Sequence, residues 1–401
     1  MSKFKVVEVR PSGGKNIAEV FWEDGHVSRF HTIWLRCNCR CSVCCRTIVG
    51  QALVERSKLS CQLLVSEATI HDEGAKINFK LAPETNHVTV MTSDWLRSAC
   101  YCDACISEML DEREMKFHLP SESQLPVAEF EQLDTDKGMF ELIGTVFDRG
   151  FVVVENVPRE DGSVVKTGKR MAPLIGGVCG EKFDVVDVQS TEHAAYTSSG
   201  LPFHADQCIY EAPEGILLLH ALRFDDVVEG GNSLLVDMFH VIDILRKQSP
   251  DDFRVLSRVP IAYATIDYNR RDPAHVIHRK PIILLDYDDK VVGYSWNPGT
   301  EQTLRVHEDD VEPFYRAYVK LQKLIDDPKN QFKFRLRSGD MLVLHNRRMA
   351  HSRDAYKTNG GHRRLQGTYV NIEDLRSKYV VLGRKLNRPV VAPKIGNCSS
   401  I

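Results

Sequence analysis

His204 and Asp206, in "SSGLPFHADQCIY", are a histidine and a carboxylate two positions apart. In an extended segment such residues point to the same side, as two neighbouring ligands of one metal ion must. The same H-x-D spacing recurs at His307 and Asp309 in "RVHEDDVEPFYRAY", where the acids are better placed to open a helix. His204 precedes the apolar run "GILLLHAL", whereas no later strand near His307 supplies a partner, so the first pair is the candidate. A third ligand must come from a distant strand, and "GDMLVLHNRRMAHSRDAY" offers His345, closing an apolar run, and His351 beyond it. Two histidines and a carboxylate on one face of a metal leave three positions open, the arrangement of non-haem Fe(II) oxygenases. Arg363, in "HRRLQGTYV", lies on the next strand-like run and is suited to bidentate pairing with the distal carboxylate of 2-oxoglutarate.

A second chemistry is written in "WLRCNCRCSVCC", where five of the twelve cysteines fall between Cys37 and Cys45. Cys39, Cys41 and Cys44 form C-x-C-x2-C, a knuckle that lets three thiolates converge on one tetrahedral ion such as structural zinc. The fourth ligand is open among Cys37, Cys45, Cys61 and His87. Cys100, Cys102 and Cys105 repeat the spacing, but "SDWLRSACYCDACISEMLDE" reads as one helix, on which three thiols would not share a face. A second metal and reduced bystanders stand level there.

The elements that must position these residues follow from pattern. The first hundred residues read as short strands and turns, "KVVEV", "AEVFWEDGHVSRF", "KINFKL" and "HVTVMTSDWL", a small β-rich module over 1–115. Pro120 and Pro126 break the Glu-rich stretch that follows, and a second domain spans 125–385. It opens with an amphipathic helix turning into the buried run Phe151–Val154. It continues as many strands interrupted by helices at "FHVIDILRKQSPDDFRVLSR" and "VEPFYRAYVKLQKLIDD". Without an alternating β-α rhythm, this predicts a β-barrel or jelly roll. No internal repeat and no low-complexity tract is visible.

Composition limits the function classes. Over 401 residues, 43% are hydrophobic and 27% charged, near globular averages. A formal net charge of −3 and a pI near 6.6 argue against general attraction to nucleic acid or acidic membranes. The N-terminal "MSKFKVVEVRPSGGKN" resembles neither a secretory nor a mitochondrial leader, which predicts a cytoplasmic protein with reduced or metal-bound cysteines.

Together, "WLRCNCRCSVC", "HVTVMTSDWL", "AAYTSSGLPFHAD", "EGGNSLLVD", "HNRRMAHSR" and "HRRLQGTY" resemble the γ-butyrobetaine and trimethyllysine dioxygenases, a branch of the Fe(II)/2-oxoglutarate oxygenases, over nearly the whole chain. The resemblance implies a mainly β fold with some α: a double-stranded β-helix (jelly roll) catalytic domain behind a small N-terminal zinc-binding module, usually as a homodimer. It implies zinc on Cys39, Cys41, Cys44 and His87, with Cys37 and Cys45 as extras. It implies Fe(II) on His204, Asp206 and His351, 2-oxoglutarate on Arg363, and ascorbate as reductant. The expected reaction decarboxylates 2-oxoglutarate to succinate and CO2 and hydroxylates a small-molecule substrate.

For that substrate, γ-butyrobetaine leads, with hydroxylation to L-carnitine. Trimethyllysine, or another small amine or carboxylate, is the alternative. The family cages a trimethylammonium group with aromatics through cation–π attraction. Tyr196 and Tyr369 stand at cage positions, Phe183 replaces a tryptophan and Cys179 a tyrosine. His193 replaces an asparagine that contacts the substrate carboxylate, while Asn297 keeps a polar contact. His345 stands where the family usually has an aspartate. A different class, a non-catalytic zinc-dependent interaction protein, is disfavoured by the intact His204, Asp206, His351 and Arg363.

Overall fold

The computed structural model describes residues 2–46, 51–84, 86–111, 117–118, 124–186 and 198–391, and divides the chain into two compact units, Met1–Glu112 and Arg113–Ile401. Among the described residues no helix is long and apolar enough to cross a membrane.

The first unit contains an internal repeat that sequence inspection did not reveal. Strands Val6–Ser12, Ile17–Trp22 and Val27–His31 form an antiparallel meander that runs into the short helix Thr32–Cys37. Strands Leu64–His71, Lys76–Ala82 and Val88–Thr92 form a second, running into the helix Ser93–Ser98. From the closing hairpin onward the two copies align without a gap at a spacing of 61 (95 minus 34), with identical residues at His26 and His87, Trp34 and Trp95, Leu35 and Leu96, Arg36 and Arg97, and at the three cysteines of each knuckle. The strands before the hairpin share burial alternation but little identity. Ala18, Val20 and Phe30 from one copy meet Ile77, Phe79 and Met91 from the other in one core. That is why the repeat was hidden: alternation is cheap to satisfy with many side chains.

The single helix expected over "SDWLRSACYCDACISEMLDE" is two helices. The first ends at Ser98, where the Ala99 and Cys100 amides turn back on Trp95 and Arg97 carbonyls, and the second starts only at Asp103. Cys100 and Cys102 lie in the break, so helical spacing does not govern their directions.

The second unit is built on two sheets. The larger runs in the order Leu174–Ile175, Arg363–Val370, Ile216–Phe224, Met341–His345, Phe151–Glu155, Val127–Glu129, with Phe183–Val186 also paired to Arg363–Val370. The smaller runs Leu201–His204, Met349–Arg353, Ser233–Asp237, Gln331–Phe334. Leu217, Leu342, Leu344 and Leu365 of the first meet Leu235, Phe332 and Met349 of the second in a shared core. Apolar faces of helices Asp136–Arg149 and Ile372–Lys385 cover the outer side of the larger sheet through Ile143, Val146 and Leu375. Those of Met238–Gln248, Pro250–Arg258 and Glu308–Asp326 cover the smaller through Ile242, Leu256, Phe314 and Leu321. The residues 308–310 stand in the first turn of that last helix, where their charge complements the positive end of the helix dipole, so the His307–Asp309 pair belongs to a helix start.

Candidate metal centres

Strand pairing brings the first centre together. In the smaller sheet, Leu201–His204 runs antiparallel to Met349–Arg353 with His204 directly opposite His351. Asp206 follows two residues later, and its backbone is clamped by Asn346: the Asp206 amide donates to Asn346 Oδ1 at 2.8 Å and Asn346 Nδ2 donates to the Asp206 carbonyl at 3.0 Å. Asn346 is a positioning residue that sequence reading passed over, although it sits inside the quoted "HNRRMAHSR".

One ligand atom each from His204, Asp206 and His351 lies within 4.8 Å of the others. Asp206 Oδ1 is 3.4 Å from His204 Nε2 and 3.7 Å from His351 Nε2. His204 Nδ1 donates to the Pro202 carbonyl at 2.8 Å, which fixes the tautomer and leaves Nε2 free to bind a metal. Burial alone would raise the Asp206 carboxyl, but His351, His204 and the Tyr369 hydroxyl outweigh it and hold it well below the usual range. Burial, then the neighbouring His204, pushes His351 down to about 3. A group of two imidazoles and a carboxylate fits Fe(II).

Arg363 opens the strand that faces this site from the larger sheet, and it lines a cavity of about 100 Å³ together with His204, Asp206 and His351. Its Nε is buried with no hydrogen-bond partner among the described residues. Burial, and then the nearby Arg353 cation, push its guanidinium down to about 10. Phe224 and Tyr356 lie 5.2 and 5.3 Å from it as aromatic walls. A buried cation in that setting calls for an anion, and a carboxylate of 2-oxoglutarate fits the donor set.

A family model described as "Taurine catabolism dioxygenase TauD, TfdA family" matches residues 113–369. The chain belongs to this family. It is a 2-oxoglutarate-dependent dioxygenase that works with iron. A second model, "Gamma-butyrobetaine hydroxylase-like, N-terminal", matches residues 10–81. A Pseudomonas sp. (strain AK-1) protein named gamma-butyrobetaine dioxygenase is 29% identical over 368 residues, covering 91% of this chain and 93% of that one. The Homo sapiens protein of that name is 29% identical over 385 residues, covering 93% and 96%. A trimethyllysine dioxygenase from Meyerozyma guilliermondii is 26% identical over 408 residues, covering 95% and 97%.

In this TauD-family chain a second, larger cavity of about 760 Å³ opens on the other side of His204 and Asp206, lined also by Cys179, Phe183, Arg270 and Asn297. The ring of Phe183 stacks on Tyr369 at 5.3 Å. Tyr369 is buried and donates its hydroxyl to Asp206 Oδ2 at 2.9 Å, so it holds the candidate ligand carboxylate as well as backing Phe183. Asn297 lines the cavity but spends its amide on the Ala205 carbonyl and the Gly299 amide. His193 and Tyr196 lie outside the described residues. His345 is buried against Phe147 and beside Arg348, away from the ligand group.

The N-terminal unit holds a further group. Cys39, Cys41, Cys44 and His87 offer ligand atoms within 4.8 Å of one another. His87 Nε2 is 3.4 Å from Cys39 Sγ and 3.6 Å from Cys44 Sγ. A tetrahedral zinc with ordinary Zn–S and Zn–N bonds sets its N and S ligands about 3.6 Å apart. Cys37 and Cys45 stand outside this group, and Cys61 is exposed.

Proposed function

We propose that this chain hydroxylates γ-butyrobetaine to L-carnitine, with Fe(II) on His204, Asp206 and His351 and 2-oxoglutarate anchored by Arg363. One observation carries the reading of the site: His204 and Asp206 stand in the wall common to two cavities, and the smaller is lined by a buried, incompletely paired arginine. Iron with 2-oxoglutarate and oxygen supplies the oxidation that turns a C–H bond into C–OH while 2-oxoglutarate becomes succinate and CO2. The chain's own part is placement. Arg363 orients the cosubstrate, Asn346 and Tyr369 hold Asp206, and the apolar lining of Leu219, Leu235 and Leu342 keeps water from the smaller cavity.

The choice of substrate rests on the relatives named gamma-butyrobetaine dioxygenase and on Phe183, whose ring offers a face to a trimethylammonium group in the larger cavity. Cys179 in the same wall gives less cation–π attraction than an aromatic would, and this favours the second reading, trimethyllysine or another small amine. Zinc on Cys39, Cys41, Cys44 and His87 belongs to the proposal, supported by ligand spacing that suits a closed tetrahedral site. Ascorbate as reductant, a homodimer and a cytoplasmic location complete it. The test is succinate release from iron-loaded enzyme with γ-butyrobetaine, trimethyllysine and related amines. The expected result is stoichiometric hydroxylation of γ-butyrobetaine at the highest kcat/KM. Coupled turnover with trimethyllysine alone would overturn the substrate, and no 2-oxoglutarate turnover with any of them would overturn the site.

A further inference from the structure

We infer that the N-terminal unit carries a second structural zinc site, formed by His26, Cys100, Cys102 and Cys105. The two sites are reciprocal: each takes three thiolates from one repeat and the hairpin histidine from the other. The break between helices Ser93–Ser98 and Asp103–Asp111 is what makes it feasible, because it turns all three thiols toward one point. His26 Nε2 lies 3.4 Å from Cys100 Sγ, 3.8 Å from Cys102 Sγ and 3.7 Å from Cys105 Sγ. These are the edges of a tetrahedron around zinc, about 3.6 Å for N and S ligands.

The surroundings match those of the Cys39 group. Arg97 Nη1 approaches Cys105 Sγ at 3.3 Å, as Arg36 Nη1 approaches Cys44 Sγ at 3.4 Å. Three thiolates around a divalent ion leave one negative charge, and each arginine is placed to balance it. Each arginine is in turn held by an acid on the hairpin that supplies the histidine: Arg97 by Asp24 at 3.5 Å, Arg36 by Glu84 at 2.6 Å. Ser28 Oγ donates to Cys100 Sγ at 3.1 Å, and the Val90 amide approaches Cys39 Sγ at 3.4 Å. Trp34 and Trp95 stack between the copies at 5.6 Å. Neither repeat completes a site alone, so each ion cross-links the two meanders. A unit of about 110 residues gains more from such staples than a large domain does.

The test counts ions in the full-length protein. Native mass spectrometry of the wild-type chain should give two zinc ions in the thiolate sites. Cobalt exchange reads the same sites selectively, because thiolate-to-cobalt charge transfer is silent for the sulfur-free His204 group. Cys102→Ser with Cys105→Ser should halve that absorbance, and Cys41→Ser with Cys44→Ser should halve it by removing the other ion. His26→Ala should empty the Cys100 site and spare the Cys39 site, and His26→Cys, which restores a fourth ligand, should keep both. A single thiolate-bound ion in the wild type that the Cys41/Cys44 variant removes, a full signal in the Cys102/Cys105 variant, or a disulfide among Cys100, Cys102 and Cys105 would overturn the proposal. Loss of only the Cys39 ion would count against the zinc assignment made above and leave this one standing.

Discussion

At the scale of single residues, the candidate ligand group is held by side chains outside it. Tyr369 donates to the Asp206 oxygen that does not face the histidines, which both orients the carboxylate and keeps it ionised. Outer partners of this kind are worth about 10- to 100-fold in metal affinity or activity. Tyr369→Phe is therefore expected to weaken iron retention by that range while leaving the Phe183 stack in place. Iron titration followed by succinate release would show it, and unchanged affinity would mean the hydrogen bond is idle. If Arg363 anchors 2-oxoglutarate as proposed, Arg363→Ala removes one partner of a buried charge pair, a loss of about 2–5 kcal/mol. The KM for 2-oxoglutarate should rise by at least about 30-fold. Addition of guanidine should recover part of the activity, and a KM close to wild type would place the anchor elsewhere.

At the scale of elements, strand register does what residue spacing only hints at. The H-x-D pair was readable because alternation puts both side chains on one side of a strand. The choice between His345 and His351 was not decided by composition; it follows from which sheet each strand joins. Met341–His345 pairs in the larger sheet and buries His345 under the helix Asp136–Arg149, whereas Met349–Arg353 pairs in the smaller and sets His351 opposite His204. The helix break that frees Cys100 and Cys102 was illegible for the opposite reason, since "SDWLRSACYC" contains neither proline nor glycine and helical periodicity continues through it. The repeat escaped because strand cores are conserved as a pattern of burial and only the hairpin and knuckle keep residue identity. Register also makes Gly367 a sensitive point. It pairs with Phe183 across the larger sheet, and a Cβ there would lie 2.1 Å from the Phe183 ring. Gly367→Ala should push that ring off Tyr369 toward the larger cavity at a cost of about 1–3 kcal/mol. Phe183 lines both cavities, so the expected readout is a higher substrate KM, a lower Tm and a changed KM for 2-oxoglutarate; a variant with wild-type kinetics would show that Phe183 does not shape the pocket.

For the whole molecule, stability should depend on pH through histidines buried as neutral groups. His220 and His345 are fully enclosed in the second unit. Burial lowers His220 to about 4, and burial with the nearby Arg348 and Arg347 cations holds His345 well below its ordinary value. Both are released to an ordinary value near 6.5 on unfolding. Above pH 6.5 neither state binds these protons and nothing is lost. Below it the unfolded chain takes them up first, so stability falls as pH drops, by up to about 1.4 kcal/mol per pH unit for each histidine. For His220 this continues until the folded group titrates near 4. His204 contributes with the opposite sign when no iron is bound, because Asp206 raises it against the effect of burial. Iron-loaded enzyme, in which a metal-bound His204 would not titrate until the ion leaves, is therefore the right sample. Urea unfolding between pH 7.5 and 5 should show a declining midpoint, and His220→Asn and His345→Asn should each flatten the slope even though each also lowers stability overall. The slope is the discriminating quantity: equal slopes in wild type and both variants would mean that other groups set the acid limit, since a lost packing contact shifts the whole curve without changing its dependence on protons.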